Sequence, residues 1–207
     1  MPPGKRLFDL VLALVAACLL ALPALIIAIW ILIRSGRPVF YLAERMKTPD
    51  QPFRLWKFRT MTVDHTVDRA DTGVSGGDKS ARITREGRIL RRYRLDEIPQ
   101  IWNILKGDMS IVGPRPPLRQ YTLAFPDLYR EVLQCRPGLT GLATLHFHRH
   151  EAWLLAQCRD AVETDEVYRR RCVPRKAHLD LIYRAKRSLC YDIVILGRTI
   201  GQVLRRK

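Results

Sequence analysis

Asp96 and Glu97 stand side by side within Arg91–Pro116, which reads RRYRLDEIPQIWNILKGDMSIVGPRP, with arginines before them and a short patterned stretch after. Ile98, Ile101, Trp102 and Leu105 recur at the spacing of one buried helix face, which predicts a helix over Ile98–Leu105. Asp96 suits its N-cap, Pro99 its first turn and Gly107 its end. Both carboxylates would then lie at the positive end of a helix dipole, which favours their ionised form and also attracts phosphate. A carboxylate kept anionic beside a phosphate site is what a phosphoryl-accepting nucleophile requires. The same residues equally suit an ordinary N-cap and first-turn acid, so this stretch alone leaves both readings open.

Cations that could hold phosphate surround the pair in sequence. Lys57-Phe58-Arg59-Thr60-Met61 presents Lys57 and Arg59 on one face of a strand and Phe58 on the other. Arg82, Arg85, Arg88, Arg91 and Arg92 recur at three- or four-residue spacing, a cationic helical stripe that suits solvent, anionic lipid or phosphate. Lipid contact is worth about 1 kcal/mol per basic residue near the surface, so it accounts for much of the stripe. In Gly113-Pro114-Arg115-Pro116-Pro117 the prolines fix the chain around Arg115, and a guanidinium so fixed can grip phosphate through paired hydrogen bonds. Arg136-Pro137-Gly138-Leu139-Thr140-Gly141 repeats the theme of rigidity beside a cation. His146, His148 and His150 alternate, and on a strand would share a face; without a fixed carboxylate or cysteine beyond Glu151, an exposed or nucleotide-contacting loop including Arg149 suits them better than a metal site.

These residues need a scaffold and a location. At 207 residues the chain suits one domain with a real core, and its net charge of +16 calls for an anionic partner: nucleic acid, acidic lipid or a phosphorylated substrate. The cysteines, odd in number and without C-x-x-C, fit neither a disulfide framework nor a zinc site and point to a reducing, cytoplasmic setting. No Walker loop or dinucleotide fingerprint occurs. Leu10–Ile33 carries no charge over about 24 positions, long enough to cross a bilayer, and too long for a signal peptide. Yet Lys5 and Arg6 precede it, Arg34 and Arg37 follow it, and Pro23 interrupts it. Positive flanks favour the cytoplasmic side, and a helix folded at proline has arms of about 18 Å, one leaflet deep. A re-entrant helix over residues 1–36 is therefore expected, followed by a cytoplasmic catalytic domain over 37–207.

In that domain Pro38–Leu42 and Phe53–Phe58, separated by Thr48-Pro49-Asp50-Gln51-Pro52, predict a β-hairpin. Thr62–Lys79 reads as a polar loop suited to be a lid, and Trp153–Tyr168 and Lys176–Arg187 as helices. Tyr191–Lys207 reads as a basic amphipathic helix, for the membrane interface or for packing on the core.

Together these pieces resemble the monotopic phosphoglycosyl transferases, bacterial sugar transferases that begin glycan assembly on a polyprenol phosphate. The resemblance runs from Arg6-Leu7-Phe8-Asp9 to the C-terminal helix and rests on KFRTM (Lys57–Met61), ITREGRILR (Ile83–Arg91), LDEIPQIWN (Leu95–Asn103), LKGDMSIVGPRP (Leu105–Pro116) and RPGLTG (Arg136–Gly141). It implies an α+β, mostly helical fold with a re-entrant membrane helix, a small β element and interfacial amphipathic helices at the cytoplasmic face of the bacterial inner membrane. It also implies Mg²⁺ dependence and transfer of a phosphosugar from a UDP-sugar to undecaprenyl phosphate with release of UMP. Asp96 would be the nucleophile, forming an aspartyl-phosphosugar intermediate; Glu97 would help hold Mg²⁺ and Arg115 would hold phosphate. Lys57, Arg59, Arg88 and Arg136 join as phosphate candidates, and His146, His148 and Arg149 as substrate candidates. Anionic lipids are expected partners, nucleic acid is not, and a homodimer stays open. Two departures stand out: Leu22-Pro23 replaces the family's frequent Ser-Pro at the bend, and His146-Phe147-His148-Arg149 occupies the region after RPGLTG where many members carry Trp and Asn-Gly-Arg. A membrane-tethered nucleic-acid module would need stacking aromatics among its cations, and aromatics are only 8%. A hydrolase passing the phosphosugar to water is the other rival.

Overall fold

The computed structural model describes residues 2–62 and 82–205. It opens with α1 (Pro3–Ser35), continues through the hairpin β1 (Phe40–Met46) and β2 (Pro52–Phe58), and then becomes mostly helical. The predicted loop at 62–79 falls outside the described residues apart from Thr62.

Helix α1 is 33 residues long and apolar enough to cross a membrane by length and composition. Its helical run continues through Pro23. Its buried residues fall at its two ends, Asp9 and Ala13 near the start and Ile27 and Ile31 near the finish. Between them Leu14, Val15, Leu19, Leu22, Leu25 and Ile26 are exposed. The start packs beside α3 (Gln100–Lys106) and β3 (Ser110–Val112), and the finish packs on Phe58 and Leu90. Both ends therefore rest on the same globular body.

Polar anchors fix each end. Arg6 donates to the carbonyls of Ile104 (2.7 Å) and Leu105 (2.8 Å), placing a cation at the negative end of α3. Asp9, fully buried, accepts from Lys5 (2.9 Å) and from the Ser110 hydroxyl (2.7 Å). Lys5 also pairs with Asp192 at 2.8 Å, and the Tyr183 hydroxyl lies 2.7 Å from that second carboxylate. At the other end Arg59 donates to the carbonyls of Ser35 (2.7 Å) and Gly36 (2.8 Å), and the Ser35 hydroxyl bonds Glu86. Removing one member of a buried charged network leaves its partners uncompensated. Asp9→Ala is therefore expected to cost about 3–5 kcal/mol, read as a lowered thermal midpoint of the purified protein. An unchanged midpoint would show that the network contributes nothing.

The hairpin pairs antiparallel with Phe40 opposite Phe58 and Met46 opposite Pro52. β1 runs past the predicted Leu42 because Ala43 and Met46 are buried against the body. A second two-stranded sheet pairs β3 in parallel with β4 (Gly138–Thr140). Around them lie α2 (Arg85–Tyr93), α4 (Arg119–Ala124), α5 (Pro126–Val132), α6 (Leu142–Ala156), α7 (Ala161–Val167), α8 (Val173–Lys186) and α9 (Leu189–Leu204). One core gathers Met46, Tyr121, Phe147, Leu154, Tyr168 and Cys172; another gathers Leu55, Ile104, Met109, Val112, Tyr183 and Ile195.

Several predicted elements shift. The histidines expected on a loop lie on α6, which buries Leu142, Leu145, Phe147, Leu154 and Leu155; their alternation is incidental to that apolar face. The helix expected from Trp153 to Tyr168 is two: α6 stops at Ala156, and α7 starts where the Asp160 side chain accepts from the Glu163 N–H. A π-helical turn, Tyr168–Cys172, then leads into α8. α9 packs one face on the body through Ile195, with Thr199 2.8 Å from Thr140, and exposes Leu189, Ile193, Val194 and Ile200 on the other.

Candidate active site

Asp96 and Glu97 belong to a single 3₁₀ turn, Leu95–Glu97, rather than to the start of the following helix. Asp96 is not an N-cap; Pro99 stands in that position, and α3 begins at Gln100. The turn is set by Arg94, whose left-handed backbone (φ 59°) reverses the chain as it leaves α2. A non-glycine residue in that region costs energy, on the order of 1 kcal/mol, and is retained where the surroundings demand it. Gly107, also left-handed, closes α3 as its sequence position suggests.

What presses this turn against the hairpin is Asn103. Its side-chain oxygen accepts from the Trp56 N–H (3.0 Å), and its amide donates to the Arg54 carbonyl (2.7 Å). The buried amide thereby acts as one residue of a third strand on the open edge of β2. This brings Lys57 of β2 to Glu97.

Arg115 arrives from the other side. β3 and β4 are joined beyond their ends by the Gly113 N–H to Thr140 carbonyl bond (2.9 Å) and the Gly138 N–H to Pro114 carbonyl bond (2.8 Å). The approach tolerates no side chain: a Cβ on Gly113 would lie 2.2 Å from the Arg136 carbonyl oxygen, and one on Gly141 would lie 2.1 Å from that of Gly113. The glycines of VGPRP and RPGLTG thus serve one backbone contact, from which Arg115 reaches out.

The two carboxylates have opposite environments. Glu97 Oε1 takes Arg115 at 2.8 Å and Lys57 at 3.4 Å, and Oε2 takes Arg94 through Nε (3.2 Å) and Nη2 (2.7 Å). Burial works to raise its pKa, but Arg115, Lys57 and Arg94 outweigh it and hold Glu97 well below the usual carboxylate range. In return Glu97 raises the pKa of Arg115. Burial lowers that of Lys57, with Glu97 opposing. No described residue gives the Asp96 carboxylate a hydrogen bond or ion pair. Burial raises its pKa, while Lys57, Arg91 and Arg115 pull toward the ionised form. One acid is locked as an anion that orders cations; its neighbour keeps its lone pairs for something else.

Both face a cleft of about 510 Å³, within the usual size of small-molecule sites. Lys57, Arg59, Arg91, Arg94, Arg115 and His148 also line it. Arg59 is largely engaged with the end of α1, and Arg91 donates to the Thr60 hydroxyl at 2.8 Å. Arg88 is exposed on α2, and His146 and Arg149 are exposed on α6; none of them lines the cleft. Arg136 borders a separate cavity of about 360 Å³ near the start of α1. Sequence reading missed Asn103 and Arg94, whose roles depend on distant partners, and the inner lining of Glu151, Tyr168, Lys176 and Asp180. Lys176 and Asp180, four apart on α8, are the one pair whose spacing gave a signal.

The profile of the bacterial sugar transferase family matches residues 2–206. The chain belongs to that family. Among similar members, an uncharacterised sugar transferase of Bacillus subtilis, EpsL, is 32% identical over 97% of this chain and 87% of its own length. The UDP-glucose:undecaprenyl-phosphate glucose-1-phosphate transferase of Caulobacter vibrioides is 35% identical over 97% of this chain and 69% of its own. A UDP-N-acetylgalactosamine-undecaprenyl-phosphate N-acetylgalactosaminephosphotransferase of Aeromonas hydrophila is 33% identical over 97% of this chain. The chain spans 43% of that last protein, and 40% of a UDP-galactose-lipid carrier transferase of Erwinia amylovora. The family's sugar-transferase region thus coincides with all the elements that build the cleft.

The residues suit a Mg²⁺ ion brought in with phosphate better than a resident one. No cluster of three or more metal-binding side chains occurs among the described residues. Mg²⁺ habitually takes one or two carboxylates plus substrate phosphate and water, and Asp96 offers the open carboxylate. Glu97 would join by giving up its longest contact, the 3.4 Å approach of Lys57.

Proposed function

We propose that this chain transfers a phosphosugar from a UDP-sugar to undecaprenyl phosphate, with Asp96 as the covalent carrier. The observation that carries this reading is the division of labour within the acidic pair: Glu97 is saturated by three cations, and Asp96 is buried beside them with no hydrogen-bond or ion-pair partner among the described residues. The names of the relatives supply the substrate class.

In the first half-reaction an Asp96 oxygen attacks the sugar-bearing phosphorus. The bond from that phosphorus to the bridging oxygen breaks, and UMP leaves with the bond's electrons. In the second, an oxygen of the lipid phosphate attacks the same phosphorus and frees Asp96, giving a diphosphate-linked sugar. Phosphate oxygens repel an incoming anion, so Arg115, Lys57 and Arg94 serve by neutralising them, ordered for that task by Glu97. A bound Mg²⁺, held by Asp96 and Glu97, would add further neutralisation of phosphate charge. Burial strips water from the nucleophile and from the intermediate, which protects the acyl phosphate from hydrolysis.

Release of UMP tests the reading. Steady turnover is expected only with both a UDP-sugar and polyprenol phosphate present; without acceptor, release should stop at about one equivalent of enzyme. Sustained release without acceptor would make the protein a hydrolase. Absence of release with every donor would favour the basic binding module.

The reading includes a re-entrant α1 at the cytoplasmic face. Both ends of α1 are anchored on one charged body, and only its middle is free of it. A straight crossing would separate the ends by the thickness of the bilayer. The exposed apolar face of α9 suits the same interface. A cysteine introduced at Pro2, in a variant lacking the exposed Cys18 and Cys190, should react with thiol reagents only from the cytoplasmic side; labelling from outside would reject the hairpin.

A further inference from the structure

The cleft changes character along its length. Around Asp96 its wall is cationic, with Lys57, Arg91, Arg94 and Arg115. Glu151, Tyr168, Lys176, Asp180 and Tyr129 line the same cleft. Lys176 bonds the first two, at 2.9 Å to Glu151 Oε1 and 2.9 Å to the Tyr168 hydroxyl, so its charge is spent within the wall. One turn further along α8 is Asp180, and α5, which carries Tyr129, packs on α8.

Asp180 is only 6% exposed, and its Oδ1 has no hydrogen-bond partner among the described residues. Burial raises its pKa to about 7. The Tyr129 hydroxyl has no hydrogen bond from or to any described residue either. A buried carboxylate oxygen left unpartnered is costly unless something bound, water or ligand, completes it.

We propose that this inner end of the cleft binds the sugar ring of the donor, with Asp180 and Tyr129 hydrogen-bonding its hydroxyl groups. The assignment rests on the transferase reading above. Glu151 is spent on Lys176, and Asp180 is an acceptor with no cation bonded to its Oδ1 among the described residues, so phosphate is drawn instead to the cations around Asp96. A sugar ring is uncharged and offers several O–H donors, which carboxylates accept strongly. Uracil offers a single N–H donor and would leave most of these acceptors unused. With the sugar there, its phosphorus would fall in the cationic stretch around Arg115 and Asp96.

The test compares binding of UDP with binding of UDP-glucose, UDP-galactose and UDP-N-acetylgalactosamine by calorimetry on the full chain in detergent. Every variant, and the protein it is compared with, also carries Asp96→Asn, so that the donor is bound and not consumed. Asp180→Asn and Tyr129→Phe are nearly isosteric, and thermal unfolding reports whether each variant is folded. Asp180→Asn should weaken the preferred UDP-sugar roughly 10- to 100-fold, the scale of one hydrogen bond to a charged group, and leave UDP unchanged. Tyr129→Phe should show the same selectivity with a smaller loss, and it decides the matter alone if the Asn variant does not fold. Equal losses for UDP and UDP-sugar would assign the inner end to the nucleoside and overturn the proposal, as would no loss for either. Wild-type protein that binds none of these ligands would sink the transferase reading itself.

Discussion

Asp96→Asn is expected to lose all measurable turnover, at least about 10⁴-fold, the scale found when a covalent nucleophile is removed. An amide has no anionic oxygen to attack phosphorus. It nearly matches the carboxylate in shape, and Asp96 makes no hydrogen bond to a described residue that the change would break, so the variant should fold as well as the parent. Replacing a buried carboxylate whose pKa burial raises should even relieve a small desolvation cost. The decisive reading is mass spectrometry of enzyme quenched with UDP-sugar and no acceptor: the parent carries one phosphosugar on the peptide containing Asp96, and the variant carries none. Full activity in the variant, or an adduct on another residue, would remove Asp96 from its role.

Arg115→Ala should lower kcat/KM by roughly 2–4 kcal/mol in transition-state stabilisation, as when one preorganised donor to a developing anion is lost. Part of the loss is indirect. Arg115 supplies the shortest contact to Glu97 Oε1, and without it Lys57, at 3.4 Å, is that oxygen's remaining cation. Lys57 would close on Glu97 and retreat from phosphate. Arg115→Lys should recover little, because an ammonium cannot span two oxygens in a plane as the guanidinium does. An unchanged kcat/KM in the alanine variant would take Arg115 out of the site.

How far these residues could be found without coordinates depends on the range of the contacts that fix them. The hairpin was legible, since its turn chemistry and alternation are local, and so were Gly107 and the amphipathic last helix. The acidic pair was legible as chemistry but misread as geometry. A left-handed Arg94 turns the chain just before it, and nothing in an arginine announces that conformation. The three histidines imitate a strand, while the leucines around them carry a helix whose partner face lies on α8. Asn103 gave no signal, because its role is to complete a strand edge nearly fifty residues away in sequence, at Arg54 and Trp56. The glycines of VGPRP and RPGLTG stood out as rigid and odd, but only their meeting in space explains both at once.

The anchoring of α1 at both of its ends has a mechanical corollary. Lys5 and Asp9 rivet its beginning, and Arg59 clasps its finish, so no slack linker separates this apolar helix from the body that carries Asp96. On the proposed re-entrant reading, that rigidity would set the height of Asp96 above the acyl chains by the protein's own architecture. On the same reading a lipid acceptor would have to rise to that height, so the elevation of its phosphate, more than the length of its isoprenoid tail, should govern which carriers are served.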